Sequence, residues 1–157
     1  MTFKPLFEKA VTDHLAVISC LSEMYPEIEQ VAKKMRDCIN SNGKILWMGN
    51  GGSAADSQHL AAEIVGRFKR ERPGMPSIAL TTDTSVITSV ANDYGFEHIY
   101  SRQVEALGRP GDVLVGITTS GNSGNVVAAI HAGKIAGLVT VGMLGNGGGK
   151  MQTLFDY

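Results

Sequence analysis

Apolar positions change their period partway along this chain. Phe7, Val11, Leu15, Ile18 and Leu21 recur at three- and four-residue spacing, which predicts an amphipathic helix with one buried stripe. The helix is expected to end before Pro26, because proline disfavours helical geometry in the residue that precedes it. A second helix, over about 28–39, stops at "NSNG", residues 40–43. Two leading helices exceed what a minimal α/β unit needs, so one of them is a candidate to pack against another subunit.

From Lys44 onward the pattern alternates. Short apolar runs, "KILWM", "SIALTT", "DVLVGITT" and "LVTVGML", are separated by the helical stretches "SAADSQHLAAEIVGRFKR", "TSVITSVAND", "EHIYSRQVEALG" and "NVVAAIHAGKIAG". Strands without clear polar alternation, joined by helices, predict a parallel sheet covered on both faces, so the fold class is α/β, a doubly wound αβα sandwich. The closing stretch "NGGGKMQTLFDY" reads as a turn, a short helix and the beginning of a further strand. Either a sheet edge is left open there or residues beyond 157 belong to the protein.

Composition narrows the picture. A chain of 157 residues with 43% apolar content is long enough for one domain with a core, since a chain near this size buries roughly 68–70% of its unfolded surface. The expected organisation is a single domain over 1–157, with leading helices over 1–42 and the α/β core over 43–157. The 14 basic and 15 acidic residues nearly cancel, so no broad positive field holds nucleic acid or anionic lipid directly. Cys20 and Cys38 show no metal-binding or redox spacing and read as reduced core thiols of a cytoplasmic protein. The charged residues Lys4, Glu8, Lys9 and Asp13 interrupt the N-terminal stretch, and no apolar run reaches the roughly 18 residues of a membrane span.

Two strand-to-helix turns look alike. "ILWMGNGGSAAD" and "LVGITTSGNSGN" each run from apolar strand through glycine and small polar residues into a helix. Ligands of such sheets sit outside the carboxyl ends of the strands, and free amides at a helix N-terminus attract anions. Glycine lets a ligand approach the backbone, while Ser53, Thr119, Ser120 and Ser123 offer hydroxyl donors without bulk. The pair of turns suits a phosphate group, although glycine and serine also make ordinary turns and caps. The P-loop pattern fails at "GNGGGKM", where Met151 replaces the magnesium-binding hydroxyl. Gly49-x-Gly51-x-x-Ala54 does satisfy the dinucleotide fingerprint, with Asp83 as the candidate ribose-binding acid, so a nucleotide-dependent enzyme stands as an alternative.

Within the helix after the first turn, Asp56, His59 and Glu63 fall along one strip at spacings of three and four. If that helix begins near Ala54, His59 and Glu63 sit one and two turns above the glycine turn, bordering the cleft. That position suits a general base, a solvated pair, or two ligands of a zinc ion that would need four. His14, His98 and His131 show no convergent pattern and read as ordinary helix residues.

The stretches "GNGGSAADSQHLAAEIVGRF", "TTDTSVITSVANDYGFEHIYSRQVEALGRPGDVLVGITTSGNSGNV" and "NGGGKM" resemble the sugar isomerase (SIS) domain family. Within it, they are most similar to the branch that acts on seven-carbon sugar phosphates. The resemblance implies a cytoplasmic homotetramer that converts sedoheptulose 7-phosphate to D-glycero-D-manno-heptose 7-phosphate through an enediol, toward the heptose of bacterial surface polysaccharides. By position it makes Thr118, Thr119, Ser120 and Ser123 the phosphate cradle. It places Asn50, Gly51, Gly52 and Ser53, together with Asn92 and Asp93, around the sugar phosphate, and makes Glu63 the catalytic base. In some members His59 and Glu63 equivalents join a Gln and a His of a C-terminal helix around zinc; the sequence shows no counterpart of that segment, so two of the four ligands are accounted for. Thr118 stands where serine is common and keeps the hydroxyl. The alternative implied by the same family is a non-catalytic module that binds a sugar phosphate or the bacterial replication initiator. Such relatives usually lack the acid at position 63 and disturb "TSGNS", both of which this chain retains.

Overall fold

The structure is a computed structural model and describes residues 2–157. It divides into a first unit up to Lys33 and a second over 34–157. The first unit holds α1 (Lys4–Ser19), a tight turn over Cys20–Ser22, and the beginning of α2 (Tyr25–Asn40). Pro26 falls in the first turn of α2, where its missing N–H costs nothing. The expected buried stripe of α1 is not buried in a single chain: Phe7 is 69% and Leu15 61% exposed, and no α1 residue is buried. The period of the apolar residues was legible, but their burial needs a surface that the unit itself does not supply. Cys20, expected in the core, is exposed, whereas Cys38 is buried; both are free thiols.

The second unit is a four-stranded parallel sheet in the order β2-β1-β3-β4, built from β1 (Ile45–Gly49), β2 (Ser77–Ala79), β3 (Val113–Thr118) and β4 (Val139–Leu144). Its helices are α3 (Gly52–Val65), α4 (Thr84–Tyr94), α5 (Ser101–Leu107) and α6 (Gly124–Ile135). All five residues of β1 are buried, as a central strand of a two-faced sheet must be. On one face Leu46, Met48 and Leu114 pack with Ile99, Tyr100, Val104, Val126, Ala129 and Ile130. Right-handed crossovers from β1 to β2 and from β3 to β4 run in opposite directions across the sheet, so they place α3 on one face and α6 on the other. The neighbours β1 and β3 therefore flank the topological switch point, where the carboxyl ends of the strands open a crevice.

Two predicted helices are shorter than their patterns. Gly66 ends α3, and the charged stretch after it, "RFKRERPG", has no apolar stripe to hold it on the sheet. Arg72 folds back and donates to the carbonyls of Glu63, at 2.8 Å, and Gly66, at 3.3 Å, satisfying the end of the helix. The stretch 97–108 breaks into a turn over Phe96–His98 and α5. At the open side of β4, the Tyr157 N–H donates to Thr140 O at 3.2 Å and the Gly142 N–H donates to Tyr157 O at 2.9 Å. Those two bonds are one parallel bridge opposite Val141, in keeping with the further strand expected there.

Candidate active site

The two similar turns lie side by side at the carboxyl edge, because β1 and β3 pair in register through Gly49 opposite Ile117. In the first turn Gly51 has φ +56, a left-handed conformation that a side chain would strain, and Gly52 begins α3. Ser53 is buried at 9% exposure. Tyr100, itself buried, donates its phenol proton to Gly49 O at 2.5 Å and so fixes the end of β1. Burial raises the Tyr100 pKa above that of a free phenol, which keeps the donated proton in place.

The second turn gathers hydroxyls. Thr118 Oγ1 lies 3.4 Å from Ser120 Oγ and 3.1 Å from Ser123 Oγ, and it accepts from the Gly121 N–H at 3.3 Å. Ser120 Oγ accepts from the Asn122 N–H at 3.2 Å. Ser123 is the N-cap of α6, yet its side chain makes no capping bond, so its hydroxyl faces the cluster instead of its own helix. Thr119 is exposed beside them. Three hydroxyls and the free amides of a helix N-terminus thus converge on one small volume, which is a donor set for an oxyanion of several oxygens.

Behind this turn lies the glycine run of residues 146–149. Gly121 has φ +63, and a Cβ there would collide with the Gly148 carbonyl. The Met151 N–H donates to Gly121 O at 3.2 Å and the Lys150 N–H to Asn122 Oδ1 at 3.3 Å. In the turn expected there, residues 147–149 take left-handed angles that let their backbone press against the hydroxyl turn. The two turns are also joined to each other. Asn50 Nδ2 donates to Asn125 Oδ1 and Asn125 Nδ2 to Asn50 Oδ1, each at 2.8 Å. Asn125, Tyr100 and the packing role of Gly148 were not foreseen from sequence. A polar residue two places after a hydroxyl N-cap was the one visible sign of Asn125.

The remaining candidates are not hydrogen-bonded to the two turns among the described residues. Asn92 donates to Asp93 Oδ1 at 2.8 Å, and both side chains are exposed near the end of α4; among the described residues no hydrogen bond joins them to either turn. Asp83 accepts from the Val86 N–H at 3.0 Å as the N-cap of α4, which accounts for the candidate ribose-binding acid in structural terms.

Glu63 is not two turns above the glycine turn. Because α3 begins at Gly52, Glu63 lies about 16 Å along its axis and His59 about 10 Å, at 1.5 Å per residue. The next residue, Ile64, accepts from the Met75 N–H at 3.4 Å, and the carbonyl of Pro76 accepts from the N–H of Ile45, the first residue of β1, at 3.1 Å. Glu63 is therefore level with the amino ends of the strands, at the opposite edge of the sheet from the hydroxyl cluster. His59 Nε2 lies 3.6 Å from Glu63 Oε1, with the His59 side chain 72% and the Glu63 side chain 30% exposed. Among the described residues no group of three or more His, Cys, Asp or Glu side chains gathers to hold a metal. His59 and Glu63 alone fall short of the four ligands zinc takes.

A parallel sheet with a hydroxyl-lined anion cradle at its switch point is the architecture of a sugar-phosphate-binding α/β domain, and the chain belongs to the SIS domain family, whose sequence profile matches residues 7–145. Within that family its relatives are phosphoheptose isomerases. It is 51% identical to that of Trichlorobacter lovleyi over 149 residues, covering 94% of this chain and 76% of the relative. It is 56% identical to that of Geotalea daltonii over 134 residues, covering 85% and 70%. The solved phosphoheptose isomerase from Neisseria gonorrhoeae superposes with a TM-score of 0.83 at 44% identity, over 96% of this chain and 81% of that one. The one from Francisella tularensis gives 0.89 at 33% identity, over 99% and 81%. Among the described residues no helix is long and apolar enough to cross a membrane.

Proposed function

We infer that this chain is a phosphoheptose isomerase that interconverts sedoheptulose 7-phosphate and D-glycero-D-manno-heptose 7-phosphate. The observation that carries the reading is the convergence of the Thr118, Ser120 and Ser123 hydroxyls on the N-terminus of α6, in a chain half identical to phosphoheptose isomerases over most of its length. The cradle takes the phosphate, remote from the reacting carbons, and converts its binding into orientation of C1 and C2. Asn50 and Ser53 contact the sugar from the neighbouring turn. Glu63 removes a proton from C1 of the ketose. The enediolate that results receives a proton at C2 while the hydroxyl proton passes from O1 to O2, leaving the aldehyde at C1. A base positioned in this way typically contributes about 10²–10⁴ in rate.

The separation of the parts adds a condition. Glu63 lies about 16 Å along α3 from the turn at Gly52. Glu63 also stands at the amino ends of the strands, on the other face of the sheet from α6, so in this reading the carboxylate that acts on a bound sugar comes from a second copy, and the working site is shared between subunits. The exposed apolar stripe of α1 suits such an assembly, a homotetramer in the cytoplasm. His59 and Glu63 would supply two of the four ligands of a zinc ion.

The test is turnover of sedoheptulose 7-phosphate by Glu63→Gln. The amide keeps the shape of the carboxylate but cannot take a proton, so kcat should fall by about 10²–10⁴ while calorimetry still registers sugar-phosphate binding. Wild-type turnover in that variant removes Glu63 from the mechanism.

A further inference from the structure

A carboxamide has two faces of opposite polarity, and which one Asn50 shows a ligand depends on what holds it. Its side chain and that of Asn125 form a reciprocal pair, with both bonds at 2.8 Å. Turning both amides together would preserve that pair, so the pair alone fixes nothing. The deciding contact is a third one: Asn125 Oδ1 also accepts from the Val126 N–H at 3.0 Å. Val126 lies in the first turn of α6, and its N–H is shared between this oxygen and the Ser123 carbonyl, at 3.1 Å. Turning Asn125 would set its NH₂ group against that N–H, and turning Asn50 alone would set oxygen against oxygen and nitrogen against nitrogen.

Both orientations are therefore dictated by a backbone amide of α6, two helical positions beyond the residue after Ser123 of the cradle. Asn125 is 3% exposed, so water does not compete for these bonds. Each carboxamide offers two N–H donors and two acceptor sites. Asn125 Oδ1 is filled by Asn50 and Val126. Asn50 keeps one N–H and one lone pair unspent, on the partly exposed side of the pair.

We propose that Asn125 is a positioning residue for the isomerase reaction: it holds the Asn50 carboxamide in a single orientation, read from the N-terminus of α6, so that the sugar meets a fixed donor beside the phosphate cradle. The proposal rests on the reading of Asn50 as a sugar-contacting residue. It ties the two turns into one unit, because the helix whose cap lines the phosphate site also sets the polarity of the sugar contact.

The experiment compares Asn125→Asp, Asn50→Ala and the double variant in the full chain, measuring kcat and KM for sedoheptulose 7-phosphate, affinity for inorganic phosphate, and thermal midpoint. Asn125→Asp is nearly isosteric and still accepts from Val126, but it opposes an oxygen to Asn50 Oδ1 and so releases the Asn50 amide. Its KM should rise about five- to tenfold, the scale of one neutral hydrogen bond, by more than inorganic-phosphate affinity falls through the added buried charge. The double variant should be no worse than Asn50→Ala alone, because Asn125 acts through Asn50. Additive losses, or a KM for Asn125→Asp equal to wild type while Asn50→Ala is impaired, would overturn the positioning role. A parallel fall in phosphate affinity and thermal midpoint would show Asn125 to be structural and overturn it as well. Wild-type KM in Asn50→Ala would overturn the underlying reading of Asn50, and the proposal with it. Should Asn125→Asp fold poorly, Asn50→Asp, which disrupts the pair from its other side and leaves the Val126 contact intact, carries the same comparison with Asn50→Ala.

Discussion

The turn after β3 and the far end of α3, the two halves of the proposed reaction, are built differently. The turn is held from every side: the Ser120 and Ser123 hydroxyls within 3.4 Å of Thr118 Oγ1, a glycine run pressed against its back, and an amide pair welding it to the turn after β1. Glu63, by contrast, has one neighbour of opposite character, His59, at 3.6 Å, on a side chain 72% exposed. In the proposed reaction, binding is complete within one chain, whereas proton transfer is not. An anion cradle must be preorganised before the ligand arrives, since its donors lose most of their value if they must be ordered on binding. A general base can be delivered by a neighbouring subunit, provided the assembly holds it at hydrogen-bond reach.

The largest effect expected from this contrast is complementation between inactive chains. Glu63→Gln keeps an intact cradle, and the double substitution Ser120→Ala with Ser123→Ala keeps an intact base. If base and cradle of each working site come from different copies, equimolar co-assembly of the two should restore about a quarter of wild-type turnover, because random pairing in a symmetric oligomer joins an intact cradle to an intact base at that frequency. If both come from one copy, the mixture stays as inactive as its components. Turnover of mixtures, measured after joint refolding, decides between the two.

A smaller but still large effect is expected at the back of the cradle. Gly121→Ala places a Cβ against the Gly148 carbonyl in a residue with φ +63, so either the turn or the glycine run must shift. Because the Ser120 and Ser123 hydroxyls sit on that turn, affinity for sugar phosphate should fall by tenfold or more, about 1.4 kcal/mol or above. The same change at Gly51, whose φ is +56 but whose Cβ meets nothing within 4 Å, should cost only the backbone strain, about 1–2 kcal/mol. Titration of both variants with inorganic phosphate tests the difference; equal loss at the two glycines would mean that the glycine run does not support the cradle.

Sequence revealed these regions unequally for a physical reason. The cradle was legible because glycines and hydroxyls punctuate the chain locally, and a strand before them with a helix after them fixes where they stand. Short apolar runs gave the parallel sheet in the same way. Glu63 stands farther from the glycine turn than its spacing suggested, because α3 begins two residues before Ala54, at Gly52, which adds about 3 Å of helix. The stripe of α1 was legible as a period but not as a partner, since nothing in a single chain says what covers it. Asn125 stayed hidden because its role depends on Asn50, which is remote in sequence and adjacent only across the β1-β3 pairing.

The smallest effect concerns the Tyr100 bond at the end of β1. Tyr100 is 3% exposed and donates to Gly49 O, so Tyr100→Phe should cost about 1–2 kcal/mol of stability by leaving that carbonyl without its donor. It should leave kcat nearly unchanged, because the phenol touches backbone and not ligand. Its pH dependence gives a second check. Burial raises the folded-state pKa of Tyr100 above the unfolded value, which is about 10. The folded state therefore binds this proton more tightly, and the stability it contributes is complete below about pH 10 and declines as pH rises through the folded pKa. Denaturant midpoints measured from neutral to alkaline pH should show wild type and Tyr100→Phe converging at the alkaline end. Parallel curves would mean that the phenol proton does not hold the strand, and that the first turn owes its position to the Asn50–Asn125 pair alone.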